Sequence, residues 1–308
     1  MSELIFHHYP QSPVSEKVRV VMGMKNLNWR SVEIPRLLPK PDLMPLTGGY
    51  RRTPVMQFGA DIYCDSQCII RELERRFPNP TLYPDGSAGM VWGVCRWIEG
   101  EVFSHVTTVV LGAQIDSLDR RVLDDRGRLY FGSHWSPGAL ENALPFSLAQ
   151  LRAQFGWMEE RLSGGRRFML GDQPGLPDAV CYHVIWFLRG RYEGGPEFLS
   201  QFPNLLRWEQ SIQAMGHGSS TELSSEQALE VARETESTST PDTDLKDPEK
   251  LKSGQRVSVV PDGDGGDPEV IGELIFAGVE ELAIRFKNNR VGEVAIHFPR
   301  VGYKVSRL

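Results

Sequence analysis

Hydrophobic and polar positions along the chain fall into four successive stretches of different rhythm. Residues 3–9, Glu-Leu-Ile-Phe-His-His-Tyr, are a short β-prone run that Pro10 to Pro13 break. A helical pattern begins at Val14, where Val18, Val21 and Met22 recur at spacings of three and four and so share one face. Thr53 to Phe58 is a second extended run, and Gly59-Ala60-Asp61 turn it into Ile62-Tyr63-Cys64, the layout of a hairpin. The next helix is predicted to start near Ser66, carry Ile69, Ile70 and Leu73, and stop before Pro78. Strand, helix, hairpin and helix within residues 1–80 predict a small α/β domain.

From about residue 88 the β signals give way to long amphipathic stretches, Met90 to Leu111, Asp116 to Phe131, Pro145 to Leu162 and Pro177 to Arg189. Residues 88–216 are therefore predicted to be all-helical. Residues 217–252 are rich in Ser, Thr and Glu and poor in large apolar groups, the composition of an exposed, mobile linker. Residues 253–308 return to short β-type runs, Gln255 to Val260, Val270 to Phe276, Leu282 to Phe286 and Val294 to Phe298, separated by Gly, Asp and Asn turns. These predict a small, closed or nearly closed β barrel whose core is marginal on its own, so it is expected to dock on a neighbour or a partner.

Composition narrows the functional classes. A chain of 308 residues, 40% hydrophobic and 24% charged, has apolar material for two or three cores. Its formal net charge of -6 speaks against a general binder of nucleic acid or anionic membrane, which needs a positive field. The opening Met-Ser-Glu-Leu-Ile-Phe lacks the pattern of a signal peptide, and no apolar run reaches the ~18 residues of a membrane span. A cytoplasmic protein is expected. Cys64, Cys68, Cys95 and Cys181 contain no Cys-x-x-Cys pair, so they read as reduced, buried groups and no metal site is expected.

Four elements carry candidate chemistry. Ser12-Pro13-Val14-Ser15-Glu16-Lys17-Val18-Arg19 lies at the first strand-to-helix turn, where a hydroxyl and the helix dipole both favour an anion. Thr53-Pro54 puts a proline at the head of an extended run. Asp65-Ser66 precedes a helix and is by itself a good cap. Gly171-Asp172-Gln173-Pro174-Gly175-Leu176-Pro177-Asp178 precedes an apolar helix, for which Asp178 serves as a cap with no catalytic role. Together these elements resemble the cytosolic glutathione transferases of the serine type over about the first 215 residues. Gly175 and Pro177 depart from that family's Ser or Thr and Ala. The wording Gly49-Tyr50-Arg51-Arg52-Thr53-Pro54 is most similar to the Fua-type fungal transferases and their bacterial relatives.

The resemblance implies an α/β thioredoxin-like N-terminal domain plus an all-α transferase C-terminal domain, here followed by the small all-β barrel-like domain. It implies that Ser12 faces the glutathione sulfur, with Ser15 and Tyr9 as rivals. It further implies a cis Pro54, a Thr53 backbone pairing with the cysteinyl unit, and Asp65 and Ser66 holding the γ-glutamyl group. Arg52 stands where a cation would meet the glycyl carboxylate, with a solvated turn as the competing reading. The expected activity is conjugation of the thiolate to a small hydrophobic or aromatic electrophile, in a homodimer joined between the α/β unit of one chain and the helices of the other. Glutathione is the only cosubstrate implied. Trp92, Arg96, Trp97, Phe103, Tyr182 and Trp186 are possible pocket walls, although aromatics at helical spacing are more often core. Asp262, Asp264 and Asp267 read as a strand-connecting turn, not a calcium loop, and His297 stands without evident metal partners. The alternative is a non-catalytic binding or scaffold protein that works through its C-terminal β domain.

Overall fold

A computed structural model describes residues 3–308, which form two compact units. The first gathers the chain up to Ser15, Asn28–Leu73 and Ser219–Leu308; the second holds Glu16–Leu27 and Glu74–Gly218.

In the first unit β1 (Leu4–His8) is buried at every position and leads into α1 (Pro13–Met24). β2 (Asn28–Glu33) lies parallel to β1. After the short α2 (Met44–Thr47) comes the predicted hairpin, β3 (Val55–Phe58) and β4 (Asp61–Cys64), turned at Gly59 with φ +60°. β3 pairs antiparallel with both β1 and β4, and α3 (Ser66–Arg76) follows. This is the thioredoxin-like half.

The second unit is helical. α4 (Ala88–Trp97) runs through a π-helical turn at Ile98–Val102 into α5 (Phe103–Gly112), so the predicted stretch is one continuous helical path with a bulge. α6 (Arg120–Phe131) is capped by Asp119. α7 (Pro137–Arg161) begins two turns before the expected Pro145, because Ser136 caps it and Pro145 is carried inside. The apolar α8 (Leu176–Arg191), α9 (Gly195–Leu199) and α10 (Pro203–Gln213) complete the unit. Asp178 is fully buried and caps α8 as expected, its carboxylate accepting from Gly175 N, Met169 N and Trp208 Nε1 at 2.9, 2.9 and 2.7 Å. Burial outweighs these bonds and pushes its pKa up to about 6. Among the described residues no helix is long and apolar enough to cross a membrane.

The 217–252 stretch, expected to be a mobile linker, contains ordered elements. β5 (Ser219–Glu222) pairs parallel with β2, and α11 (Ser225–Glu234) has a complete capping box between Ser224 and Gln227. β6 (Asp242–Thr243) pairs with a later strand. Composition concealed these elements for physical reasons. Every side chain of β5 is exposed, so only its backbone is held, and α11 buries a stripe of just Ala228, Leu229 and Ala232.

The C-terminal strands are β7 (Arg256–Pro261), β8 (Val270–Ala277), β9 (Glu281–Asn288), β10 (Gly292–Pro299) and β11 (Tyr303–Arg307). They form the expected extra β domain, two strands of which pair outside it: β8 with β6, and β10, which lies parallel to β4, Ile296 opposite Ile62 and His297 opposite Tyr63. A single sheet therefore runs β11-β7-β8-β9-β10-β4-β3-β1-β2-β5. Val257, Leu274, Ile284 and Ile296 share one core with Ile5, Leu46, Val55 and Ile62. So small a β module cannot close an adequate core alone, and the open β4 edge offers both backbone partners and apolar surface.

Candidate functional site

Register places the predicted residues at one end of the sheet. His7, Val55 and Cys64 are successive partners across β1, β3 and β4. The segments adjoining them, Tyr9–Ser12, Thr53–Pro54 and Asp65–Ser66, therefore emerge at the same end. His297 opposite Tyr63 brings the chain that turns from β10 into β11 to that end as well.

Ser12 caps α1: its Oγ accepts from Ser15 N at 3.1 Å, and its own N–H donates to Tyr9 O at 3.1 Å. The cap uses a lone pair on Oγ and leaves the hydroxyl proton to point elsewhere. Ser15, one turn on, is fully buried, its hydroxyl without a hydrogen-bond partner among the described residues, and Tyr9 is also buried.

The Thr53–Pro54 peptide is cis, as the resemblance implied, and lies just ahead of β3. Beneath it Lys40, 4% exposed, donates from Nζ to Arg51 O and Thr53 Oγ1, both at 2.8 Å. Sequence reasoning missed Lys40, which sits in a Pro-rich connection with no periodic pattern around it.

Asp65 adopts φ +73° between β4 and α3, a left-handed turn that sets buried Ser66 at the helix start. Its Oδ1 accepts from Gln67 N at 2.9 Å and its Oδ2 from the Tyr303 hydroxyl at 3.1 Å. The Tyr303 hydroxyl also lies 3.2 Å from that of Tyr50. Burial first, then the Asp65 charge, pushes both phenols well above their usual pKa, so both stay protonated.

Arg52 is not a solvated turn residue. Its Nε and Nη2 grip Asp267, the shortest contact at 2.5 Å, and Arg51 donates to Asp267 and to Gly265 O. The Asp267 side chain is 3% exposed and lies in the β7–β8 connection, the turn that the sequence suggested. The Arg52 hydrogen bonds to Asp267 run from Nε and Nη2, not from Nη1.

His297 proves to be well connected. Its Nδ1 meets Glu281 at 2.6 Å, its Nε2 meets Ser239 Oγ at 3.0 Å, and Asp61 is 3.6 Å from Nε2. Ser239, His297 and Glu281 thus have the order of a nucleophile, base and acid. Two flanking carboxylates, however, overcome burial and push the imidazole up to about 9, so at neutral pH it is a cation without a lone pair to activate the serine. It acts as a clasp. Asp61 also accepts from Ser237, Thr238 and Ser239, tying the 237–239 segment to β4.

Within the helical unit a cavity of about 310 Å³ is walled by Met90, Val94, Trp97, Trp157, Met169 and Cys181. Of the six aromatic and basic candidates only Trp97 lines it. Trp92 is buried and donates to Tyr83, and Phe103 packs between Tyr130 and His183.

The N-terminal domain of glutathione S-transferases matches residues 6–81, and their C-terminal domain matches residues 110–211. The crystal structure of a GST-like protein from Pseudomonas syringae is 36% identical, covers 100% of both chains and superimposes with a TM-score of 0.79. Glutathione transferase GSTFuA3 from Phanerochaete chrysosporium is 19% identical over 70% of this chain and 98% of its own, with a TM-score of 0.53. FzlA from C. crescentus is 18% identical over 69% and 88%, also at 0.53. At such identity these two show the fold alone. No curated protein sequence matches the chain.

Proposed function

Because the chain belongs to the glutathione S-transferase family, we propose that it binds glutathione at the end of its sheet and conjugates the thiolate to a hydrophobic or aromatic electrophile. The observation that supports this best is the register of β1, β3 and β4, which delivers Ser12, Thr53 and Asp65-Ser66 to one place. In this reading the Ser12 hydroxyl donates to the glutathione sulfur while the α1 dipole favours the same anion. Lowering the thiol pKa by about two units makes most of the bound cosubstrate thiolate at neutral pH. Thr53 pairs its backbone with the cysteinyl unit. Asp65 meets the γ-glutamyl ammonium, and Ser66 with the α3 N-terminus takes its carboxylate. Arg52 offers its remaining N–H groups to the glycyl carboxylate. The sulfur then forms its bond to the electrophilic carbon as the leaving group departs. A cytoplasmic homodimer belongs to the same reading, and a monomer in light scattering would count against that part.

Calorimetric titration with glutathione and conjugation of a chloronitrobenzene test the proposal on wild type and Ser12→Ala. Wild type is expected to bind and turn over. Ser12→Ala is expected to bind similarly and lose about a hundredfold in kcat, the scale of one lost donor to a reacting anion. Unchanged turnover in the variant removes Ser12 from this role.

A second reading, a non-catalytic scaffold, is favoured by the engagement of Arg52 and Asp65 by Asp267 and Tyr303 of the C-terminal β domain. Absence of glutathione binding at millimolar concentration would select it.

A further inference from the structure

We infer that Tyr303 is a positioning residue of the glutathione site, fixing from the C-terminal β domain the carboxylate of Asp65 on which the γ-glutamyl ammonium docks. The inference rests on the proposed reading of that site, and it assigns a role to a domain beyond the residues that the family's two domains match.

The Gln67 N–H anchors only Oδ1 of Asp65, and a carboxylate held at one oxygen still swings about its last torsion. Tyr303 supplies the second anchor at Oδ2. Two bonds use two of about four lone-pair directions, so the oriented carboxylate still accepts from an ammonium. Tyr303 is itself held in place. Its ring packs on Phe298 at 5.7 Å between centroids, Tyr50 packs on the same Phe298 at 5.9 Å, and the two phenol oxygens lie 3.2 Å apart. With Asp65 ionised, Tyr303 donates to it and Tyr50 donates to Tyr303, which satisfies all three groups. Pairing of β10 with β4 fixes the base from which β11 delivers Tyr303. The same domain reaches Arg52 through Asp267.

The test titrates the full-length protein, wild type and Tyr303→Phe, with glutathione and with the analogue whose γ-glutamyl group is replaced by glutaryl and so lacks the ammonium. Tyr303→Phe keeps the ring on Phe298 and removes only the hydroxyl. Glutathione binding is expected to weaken about fivefold, the scale of one side chain no longer pre-ordered, with the analogue unchanged and kcat at saturating glutathione preserved. Tyr50→Phe, which removes the far end of the chain, is expected to give a smaller loss in the same direction. Equal losses for both ligands would make Tyr303 merely structural. Tighter glutathione binding by Tyr303→Phe would make it a competitor of the ligand. Either result overturns the inference alone, whereas a wild type that binds neither ligand overturns the reading beneath it.

Discussion

The clasp around His297 makes stability depend on pH in a window where few carboxylates titrate. The imidazole is pushed up to about 9 in the folded chain from an ordinary 6.5, first against burial and then by the carboxylates of Asp61 and Glu281. It also stacks on the Tyr63 ring at 4.4 Å between centroids, where a cation gains from the ring face. A raised folded pKa means that the folded state holds the proton more tightly. The stabilisation is therefore complete below pH 6.5, declines as the unfolded chain releases its proton, and is gone above pH 9. At about 1.4 kcal/mol per pKa unit the clasp contributes roughly 3 kcal/mol. His297→Gln keeps a similar shape without the titrating charge and leaves Asp61 and Glu281 without the cation between them. Urea denaturation of both proteins at several pH values between 6 and 10 reads this group, because groups away from His297 titrate alike in both proteins and cancel in the difference. The variant is expected to be less stable by roughly 3 kcal/mol at pH 6.5, with the gap shrinking toward pH 9. A gap that stays flat across that range would refute the ion-paired assignment.

Other outcomes follow from single contacts. Asp178→Asn keeps the shape, but its amide nitrogen cannot accept the bond that Gly175 N or Met169 N now makes; a loss of about 1–3 kcal/mol is expected by denaturation, and an unchanged midpoint would contradict it. Gly127→Ala normally helps a helix interior, yet a Cβ there meets the Trp135 ring at 2.2 Å, so the variant is expected to lose about 1–3 kcal/mol, and a gain in melting temperature would show that Trp135 yields. Arg52→Gln is expected to raise KM for glutathione about tenfold with kcat preserved, since a charge-assisted bond to the glycyl carboxylate is lost; a KM that does not move leaves Arg52 to Asp267 alone.

Local chemistry made much of the first 80 residues legible. The Ser12-Pro13 break, the Gly59 turn and the Asp65-Ser66 helix start are each decided within a few residues, and the structure puts elements where those signals lie. Helix ends follow their caps, so α7 starts at Ser136, and a proline such as Pro145 marks no boundary once a cap ahead of it has begun the helix. The contacts that shape the site were not legible. Tyr303 reaches Asp65 and Asp267 reaches Arg52 through register and loop closure, and no spacing rule links partners some two hundred residues apart, while Lys40 reaches Thr53 across a connection without periodic pattern. The ordered 217–252 segment escaped because backbone pairing and a three-residue alanine and leucine stripe leave almost no trace in composition.

The pairing of β4 with β10 sets a timetable for the nascent chain. Cys64 leaves the ribosome long before Ala295, so the outer edge of the hairpin stays bare for about ten to fifty seconds of translation. Throughout that interval the N-terminal half exposes an unpaired strand, Asp61-Ile62-Tyr63-Cys64, whose one charge stands at its first position, to whatever else is near. Slow elongation or premature termination before residue 295 should therefore release sticky fragments, and holdase chaperones would be needed most by stalled chains, not by the finished protein.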